Sequence, residues 1–203
     1  MTDKIKLNLG CGQVYKPDYI NIDKFDNSVA DKICDIGDLP FKANSVDLIE
    51  ASQLIEHFDY IHCKYILSEW FRVLKPGSNL ILETPDLEKT FKKFVSSDLG
   101  TQKTTLQWIY GIDSFGMQHK AGFTFDLLKD LLQEIGFEQI LRKRPRTHRY
   151  EPGIRIVCKK PKKYLEKQLF ACFRKRILNE LKIEDSYICL LYTSPSPRDL
   201  STS

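Results

Sequence analysis

The sequence has no paired cysteines. Its six, Cys11, Cys34, Cys63, Cys158, Cys172 and Cys189, form no Cys-x-x-Cys, and no His/Cys group has zinc-ligand spacing. Neither a disulfide framework nor a metal site is therefore expected. Most lie in apolar runs, where a reduced cysteine behaves as a small buried hydrophobe; Cys11 lies in a turn instead. There is no run of about 18 apolar residues, so no membrane-spanning helix is expected. The opening Met1-Thr2-Asp3-Lys4 lacks the apolar core of a secretory signal. These absences point to a protein that stays in the cytoplasm.

What is present suits a globular chain. Its 203 residues, 42% hydrophobic and 29% charged, make one domain or one domain with an appendage. The net charge of +4 is unevenly spread. Residues 1–136 hold 15 Lys/Arg against 20 Asp/Glu, a net of −5, whereas residues 137–203 hold 16 against 7, a net of +9. The basic excess concerns a partner more than a site in the first part.

A short apolar strand, Ile5 to Leu9, runs into Gly10-Cys11-Gly12. Glycine admits backbone conformations closed to other residues and lets a ligand lie against bare backbone. In open α/β sheets, ligands bind beyond the carboxyl ends of the strands. The turn is thus either the floor of a nucleotide-like site or an ordinary tight turn. Only Gln13 to Asp18, with Pro17 among them, separate Gly12 from the next apolar run. A parallel crossover normally takes a dozen residues and a helix; at most one helical turn fits here.

The order of later features favours the ligand floor. Asp23 closes Tyr19-Ile20-Asn21-Ile22, and Asp35 closes Lys32-Ile33-Cys34. Then come Leu39-Pro40-Phe41, Ser45 to Ala51, Leu54-Ile55-Glu56-His57, and Phe71-Arg72-Val73-Leu74-Lys75-Pro76-Gly77. Over roughly residues 5 to 160 this series resembles the class I S-adenosylmethionine-dependent methyltransferases. It is most similar to a small group with an Asn-Leu-Gly-Cys-Gly start. The resemblance implies a Rossmann-like three-layer α/β sandwich: a mostly parallel seven-stranded sheet with one antiparallel strand. It also implies S-adenosylmethionine as cofactor, near Asn8, Gly10, Cys11, Gly12, Asp23, Asp35, Ile36 and Ser52. Asp23 would accept the ribose hydroxyls, since a carboxylate can bind a vicinal diol with both oxygens; otherwise it is a turn-forming Asp. Asp35 would accept the adenine amino group, with Asp38 as the competing carboxylate, and Ile36 would pack on the ring. Three departures stand out: Asn8 replaces the usual acidic residue of the first strand, Gln53 stands where many relatives have His, and a third glycine is missing.

Val46 to Ala51 reads as a central strand, and Asp47 at its start as a capping or pairing group. Glu56 and His57 lie at that strand's carboxyl end. They either take part in the chemistry or brace the next helix. Ile61, Tyr65, Ile66, Trp70, Val73 and Leu74 have helical spacing, with Lys75-Pro76-Gly77 as the stop. A strand at Asn79–Glu83 and a helix at Leu87–Val95 follow.

Residues 84–122 are too long for a plain connection. They carry Trp108, Tyr110, Phe115, Met117, His119 and Lys120 between Gly111, Gly116 and Gly122, which suits a lid over the substrate or a surface excursion packing its own aromatics. Histidine titrates near neutrality, so His119 is a candidate to take a proton from an acceptor hydroxyl. The expected catalytic set is His119, His57 and Glu56.

An amphipathic helix is expected over Thr124–Glu134, then a closing strand pair, Phe137–Leu141 and Ile154–Cys158. Between them, Arg142-Lys143-Arg144-Pro145-Arg146-Thr147-His148-Arg149 is a solvated loop or meets a polyanion; no nucleic-acid-binding module is evident. Residues 161–188 form a basic helical extension that packs on the domain or lies on an anionic membrane surface. Residues 189–203 resemble a translated sequencing adapter and are set apart from the fold. The leading expectation is a methyltransferase domain over residues 1–160 acting on a small molecule or glycan. Kept beside it are a methyltransferase-like binding module without turnover and a nicotinamide-dependent dehydrogenase. The dehydrogenase would share the glycine turn and the ribose-binding acid but not the Leu-Pro-Phe and Val-Leu-Lys-Pro-Gly segments.

Overall fold

A computed structural model describes residues 4–114, 116–147, 152–163 and 173–182. Phe115, Tyr150, part of the basic run, most of the basic extension and the adapter-like tail lie outside the described residues. The chain divides into two compact units, Met1–Tyr164 and Leu165–Ser203. In the second, residues 173–182 are helical, with an exposed Arg176–Glu180 pair one turn apart.

The first unit holds seven strands, β1 Lys6–Leu9, β2 Ile20–Asp23, β3 Lys32–Ile33, β4 Val46–Ser52, β5 Leu74–Pro85, β6 Glu138–Lys143 and β7 Gly153–Lys159. They form one sheet in the order β3-β2-β1-β4-β5-β7-β6. Neighbours pair in parallel except β7, which runs antiparallel to both β5 and β6. The mostly parallel seven-stranded sheet with one antiparallel strand, the α/β fold expected from the sequence, is what forms. Four helices accompany it, α1 Tyr60–Val73, α2 Leu87–Ser96, α3 Leu99–Tyr110 and α4 Phe125–Ile135. Each starts at a side-chain cap, Asp59, Asp86, Asp98 or Thr124, whose oxygen accepts a backbone N–H of the first turn. α4 stops at Gly136 in the left-handed conformation.

Alternation along the strands sorts the sheet into two faces. One carries Leu7, Leu9, Ile22, Ile49, Ala51, Leu80, Leu82, Ile154, Ile156 and Cys158, all buried with Trp70, Phe71, Leu128, Leu131 and Leu132 of α1 and α4. Phe71 meets Phe137 edge-on at 5.1 Å between ring centroids. Helix α1 ends at Val73 and β5 begins at once, so Pro76 and Gly77 fall in the strand rather than in a loop before it. Buried Lys160 ties this junction down, its Nζ donating to the carbonyls of Phe71 and Leu74 and to Asn44. Asp47 accepts from Ile5 N–H and pairs with Lys75, a bracing role.

The other face is polar near β1, β2 and β4. None of the crossovers 10–19, 24–31 and 34–45 is helical. Asparagines replace the missing first helix. Asn8 and Asn21 lie side by side across β1 and β2, and Asn8 Nδ2 donates to Asn21 Oδ1 at 2.9 Å and to Val14 O at 3.0 Å. Asn21 also accepts from Lys16 N–H and donates to Lys16 O, Tyr19 O and Asp31. One fully buried amide thus satisfies a whole loop. Asn21→Ala is expected to strand several of those partners and destabilise the protein by about 3 kcal/mol, read as a lower chemical-denaturation midpoint. Farther along the same face, Arg155 bridges Glu50 and Glu83, both at 3.0 Å, and all three are buried. Burial alone would raise the Glu50 pKa, but Lys16 and Arg155 outweigh it and hold the carboxyl below its ordinary value.

The segment after β3 is strapped to α1. Trp70 Nε1 donates to Ile36 O, Arg72 donates to the carbonyls of Leu39 and Phe41, and Glu69 accepts from Leu39 N–H. That explains Leu39-Pro40-Phe41, and it fixes Asp35 and Ile36 at the sheet's carboxyl edge.

Candidate active site

A cavity of about 790 Å³ opens beyond the carboxyl ends of β1, β2 and β4. It falls within the range of small-molecule sites. Its floor is the glycine turn, where Gly10 and Gly12 have φ of 61° and 48°, the left-handed region that favours glycine. A Cβ on Gly12 would enter open space, while one on Gly10 would strike Leu54 at 2.6 Å. The Cys11 thiol also lines the cavity; burial and nearby Asp23 push its pKa up, so it is a neutral wall.

Asp23 stands at the tip of β2. Its Oδ2 accepts from Gly12 N–H at 2.9 Å and its Oδ1 from Phe25 and Asp26 N–H. Burial pulls its pKa up, but these backbone donors prevail and hold it below the ordinary carboxylate value. Asp35 accepts from Gly37 N–H and pairs with Lys24 at 2.7 Å. Both carboxylates line the cavity, as do Ile36 and Ser52. Asn8 lines it too, but its amide nitrogen is committed to Val14 and Asn21. Gln53 has a positive φ of 54° and a buried Nε2 without a partner among the described residues, features of the kind that gather at working sites.

Residues 84–122 form the roof. The segment leaves β5 at Asp86 and returns at Phe123, and these two bridge each other. Between them α2 and α3 pack together, and Gly111 bridges Gln118 in a short hairpin. Trp108, Ile112, Met117 and His119 line the cavity, while Tyr110 is exposed. Lys120 and Ala121 N–H both donate to Glu56 O, which docks the hairpin on the 3-10 turn Ile55–His57.

That docking assembles Glu56, His57 and His119, the three residues the sequence offers for catalysis. His57 Nδ1 donates to Gln118 O at 3.1 Å and His119 Nδ1 to Trp108 O at 3.0 Å; the ring centroids are 5.1 Å apart. Glu56 is 1% exposed. Its Oε2 accepts from Thr84 Oγ1 at 2.9 Å and its Oε1 has no partner among the described residues. Burial, partly offset by these hydrogen bonds, raises its pKa to about 7. Thr84 and Thr147 are site residues that sequence reasoning missed. Thr84 looks like a strand residue, and only the fold turns its hydroxyl toward Glu56.

The described part of the basic run touches this cavity through Thr147. Lys143, Arg144 and Arg146 flank a separate concavity with Arg155, and the backbone N–H groups of Arg146 and Thr147 clasp Glu83. Among the described residues no helix is long and apolar enough to cross a membrane.

A family model described as a methyltransferase domain matches residues 15–82. Over that stretch the chain is similar to methyltransferase domains. No curated protein matches it in sequence. Among solved structures, one similar chain comes from the complex between the Haloferax volcanii Trm112 methyltransferase activator and a methyltransferase, with a TM-score of 0.58 and 13% identity over 81% of this chain and 85% of that one. A SAM-dependent methyltransferase from Methanosarcina mazei gives 0.53 and 18% over 80% and 95%. Another from Archaeoglobus fulgidus gives 0.55 and 15% over 78% and 87%. At such identities the likeness is one of fold. The methyl donor of class I methyltransferases is S-adenosylmethionine, and the cavity of this methyltransferase domain fits it. Bare glycine backbone, two carboxylates near neighbouring strand tips and a buried Gln53 Nε2–H donor without a partner among the described residues are suited to a nucleoside bearing hydroxyls, an amino group and a carboxylate.

Proposed function

We propose that this methyltransferase domain acts on a small-molecule or glycan acceptor held beneath residues 84–122. The observation that carries this reading is one cavity with the Gly10–Gly12 turn, Asp23 and Asp35 on its floor and His119 in its roof. Asp23 takes the ribose hydroxyls with the lone pairs its three backbone donors leave over. Asp35 and Ile36 hold the adenine, by its amino group and its face. Gly10, Cys11, Gly12, Asn8 and Ser52 border the methionine end. When bound, S-adenosylmethionine supplies an electrophilic methyl group, so the protein's main task is to align the acceptor.

Glu56, His57 and His119 act on the acceptor's nucleophile. A carbonyl oxygen only accepts, so the contacts to Gln118 O and Trp108 O keep the proton on each Nδ1 and the lone pair on Nε2. The cluster thus faces the cavity with basic atoms that draw the proton from an acceptor hydroxyl as the new bond forms. Trp108 and Met117 give the acceptor an apolar cover that keeps water away.

A second reading, a binding module without turnover, has one observation in its favour: the Asn8 amide is locked into the β1–β2 loop and brings no charge to the cofactor's ammonium. Calorimetry with S-adenosylmethionine and its demethylated product, then transfer of labelled methyl to hydroxylated small molecules and glycans, separates the two. Binding of both nucleosides with label transfer is the expected result. Binding with no transfer to any acceptor favours the module. Preference for a nicotinamide dinucleotide would overturn both.

A further inference from the structure

We propose that Glu56, His57 and His119 form a binding site for a divalent transition-metal ion, two imidazoles and one carboxylate with open positions toward the cavity. Each offers a ligand atom, and these atoms all lie within 4.8 Å of one another. On a tetrahedral ion with bonds of about 2.0–2.1 Å the ligand atoms sit roughly 3.3 Å apart. Closing that gap takes small side-chain rotations in two half-buried rings.

Three observations beyond proximity support an ion. First, Glu56 is almost fully buried, yet its Oε1 has no partner among the described residues. A buried oxygen left unsatisfied is costly, and a cation would satisfy it. Second, both imidazoles are anchored in the way metal ligands are. Their Nδ1–H groups donate to backbone carbonyls, Gln118 O and Trp108 O, which orients the ring and directs the Nε2 lone pair outward. Third, Glu56 Oε2 is itself supported by the Thr84 hydroxyl, so every member of the set has an outer partner that fixes it.

Two imidazoles and one carboxylate suit zinc, iron or cobalt better than magnesium, which prefers an all-oxygen shell. Such a set leaves positions open for a substrate oxygen. Sequence spacing does not reveal the site, because Glu56 and His57 are adjacent while His119 arrives from the far side of a long insertion. On the reading that this cluster is where the acceptor reacts, the ion selects acceptors with an oxygen able to ligate it. With the ion in place the Nε2 lone pairs serve as ligands instead of bases, and the ion itself makes a bound hydroxyl easier to deprotonate, the proton leaving to solvent.

The test uses the full chain, stripped with a chelator and titrated with Co²⁺ and Zn²⁺ without S-adenosylmethionine or acceptor, so the cofactor assignment cannot affect it. The expected result is a single Co²⁺ per chain with visible ligand-field bands, displaced by Zn²⁺ and not by Mg²⁺. His57→Gln, His119→Gln and Glu56→Gln should each weaken it beyond the roughly 10–100-fold that loss of an outer partner costs. His62→Gln, outside the cluster, should not. If a variant fails to fold, the wild-type imidazole resonances still decide, since two of the four histidines should show paramagnetic shifts. No binding at millimolar Co²⁺, binding indifferent to the cluster variants, or a sulfur-to-cobalt charge-transfer band marking cysteine ligation would each overturn the proposal.

Discussion

Asp23→Ala is expected to weaken S-adenosylmethionine binding by roughly 100-fold or more. The estimate follows from about two hydrogen bonds to a charged acceptor at roughly 1.5–3 kcal/mol each. The carboxylate does two jobs. It offers lone pairs to the ribose diol, and it holds Gly12 N–H at 2.9 Å, which shapes the floor. Because its pKa lies below the ordinary value, it is ionised across the neutral range, and its contribution should not vary with pH there. The demethylated product shares the ribose, so both nucleosides should lose affinity together. Calorimetry on both, with circular dichroism to confirm the fold, checks this. Affinity within threefold of wild type would contradict the assignment, and loss for only one nucleoside would move Asp23 to the methionine end.

His119→Gln is expected to lower turnover by roughly 10²–10⁴-fold on any hydroxyl acceptor the wild type methylates. The cofactor's dissociation constant should stay within twofold. His119 sits in the roof, across the cavity from Asp23 and Asp35, so it has no part in holding the nucleoside. Glutamine keeps a polar group of similar reach but cannot accept the proton or serve as an imidazole ligand. The loss should fall on kcat rather than on KM, because the group acts as the bond forms. A single-turnover measurement with labelled cofactor gives the rate of the chemical step directly. Turnover within threefold of wild type would remove His119 from the chemistry.

The sequence exposed the backbone of this fold because its signals were local. Gly10 and Gly12 follow a strand directly, Asp23 and Asp35 each close an apolar run, and Gly136 stops α4 where the pattern ends. What it hid depends on contacts between distant positions. Asn21 reads as one polar residue in a short strand, and only the register with Asn8 shows that the pair stands in for a helix. Glu50, Glu83 and Arg155 are isolated charges until three strands align them. Glu56 and His119 are 63 positions apart, and it is the docking of Lys120 and Ala121 on Glu56 O that brings them together. Around Lys75-Pro76-Gly77 the helix does stop, at Val73, but the strand expected from Asn79 begins already at Leu74 and runs straight through the Pro-Gly pair.

The two carbonyls that set the imidazole protons, Gln118 O and Trp108 O, both belong to residues 84–122. If that flap swings aside, it takes Gln118 O away from His57 and carries His119, together with Trp108 O, out of the cluster, so the three groups no longer meet. Opening therefore disarms the machinery in the same movement that admits solvent, so an ajar enzyme is poorly placed to squander its donor on water.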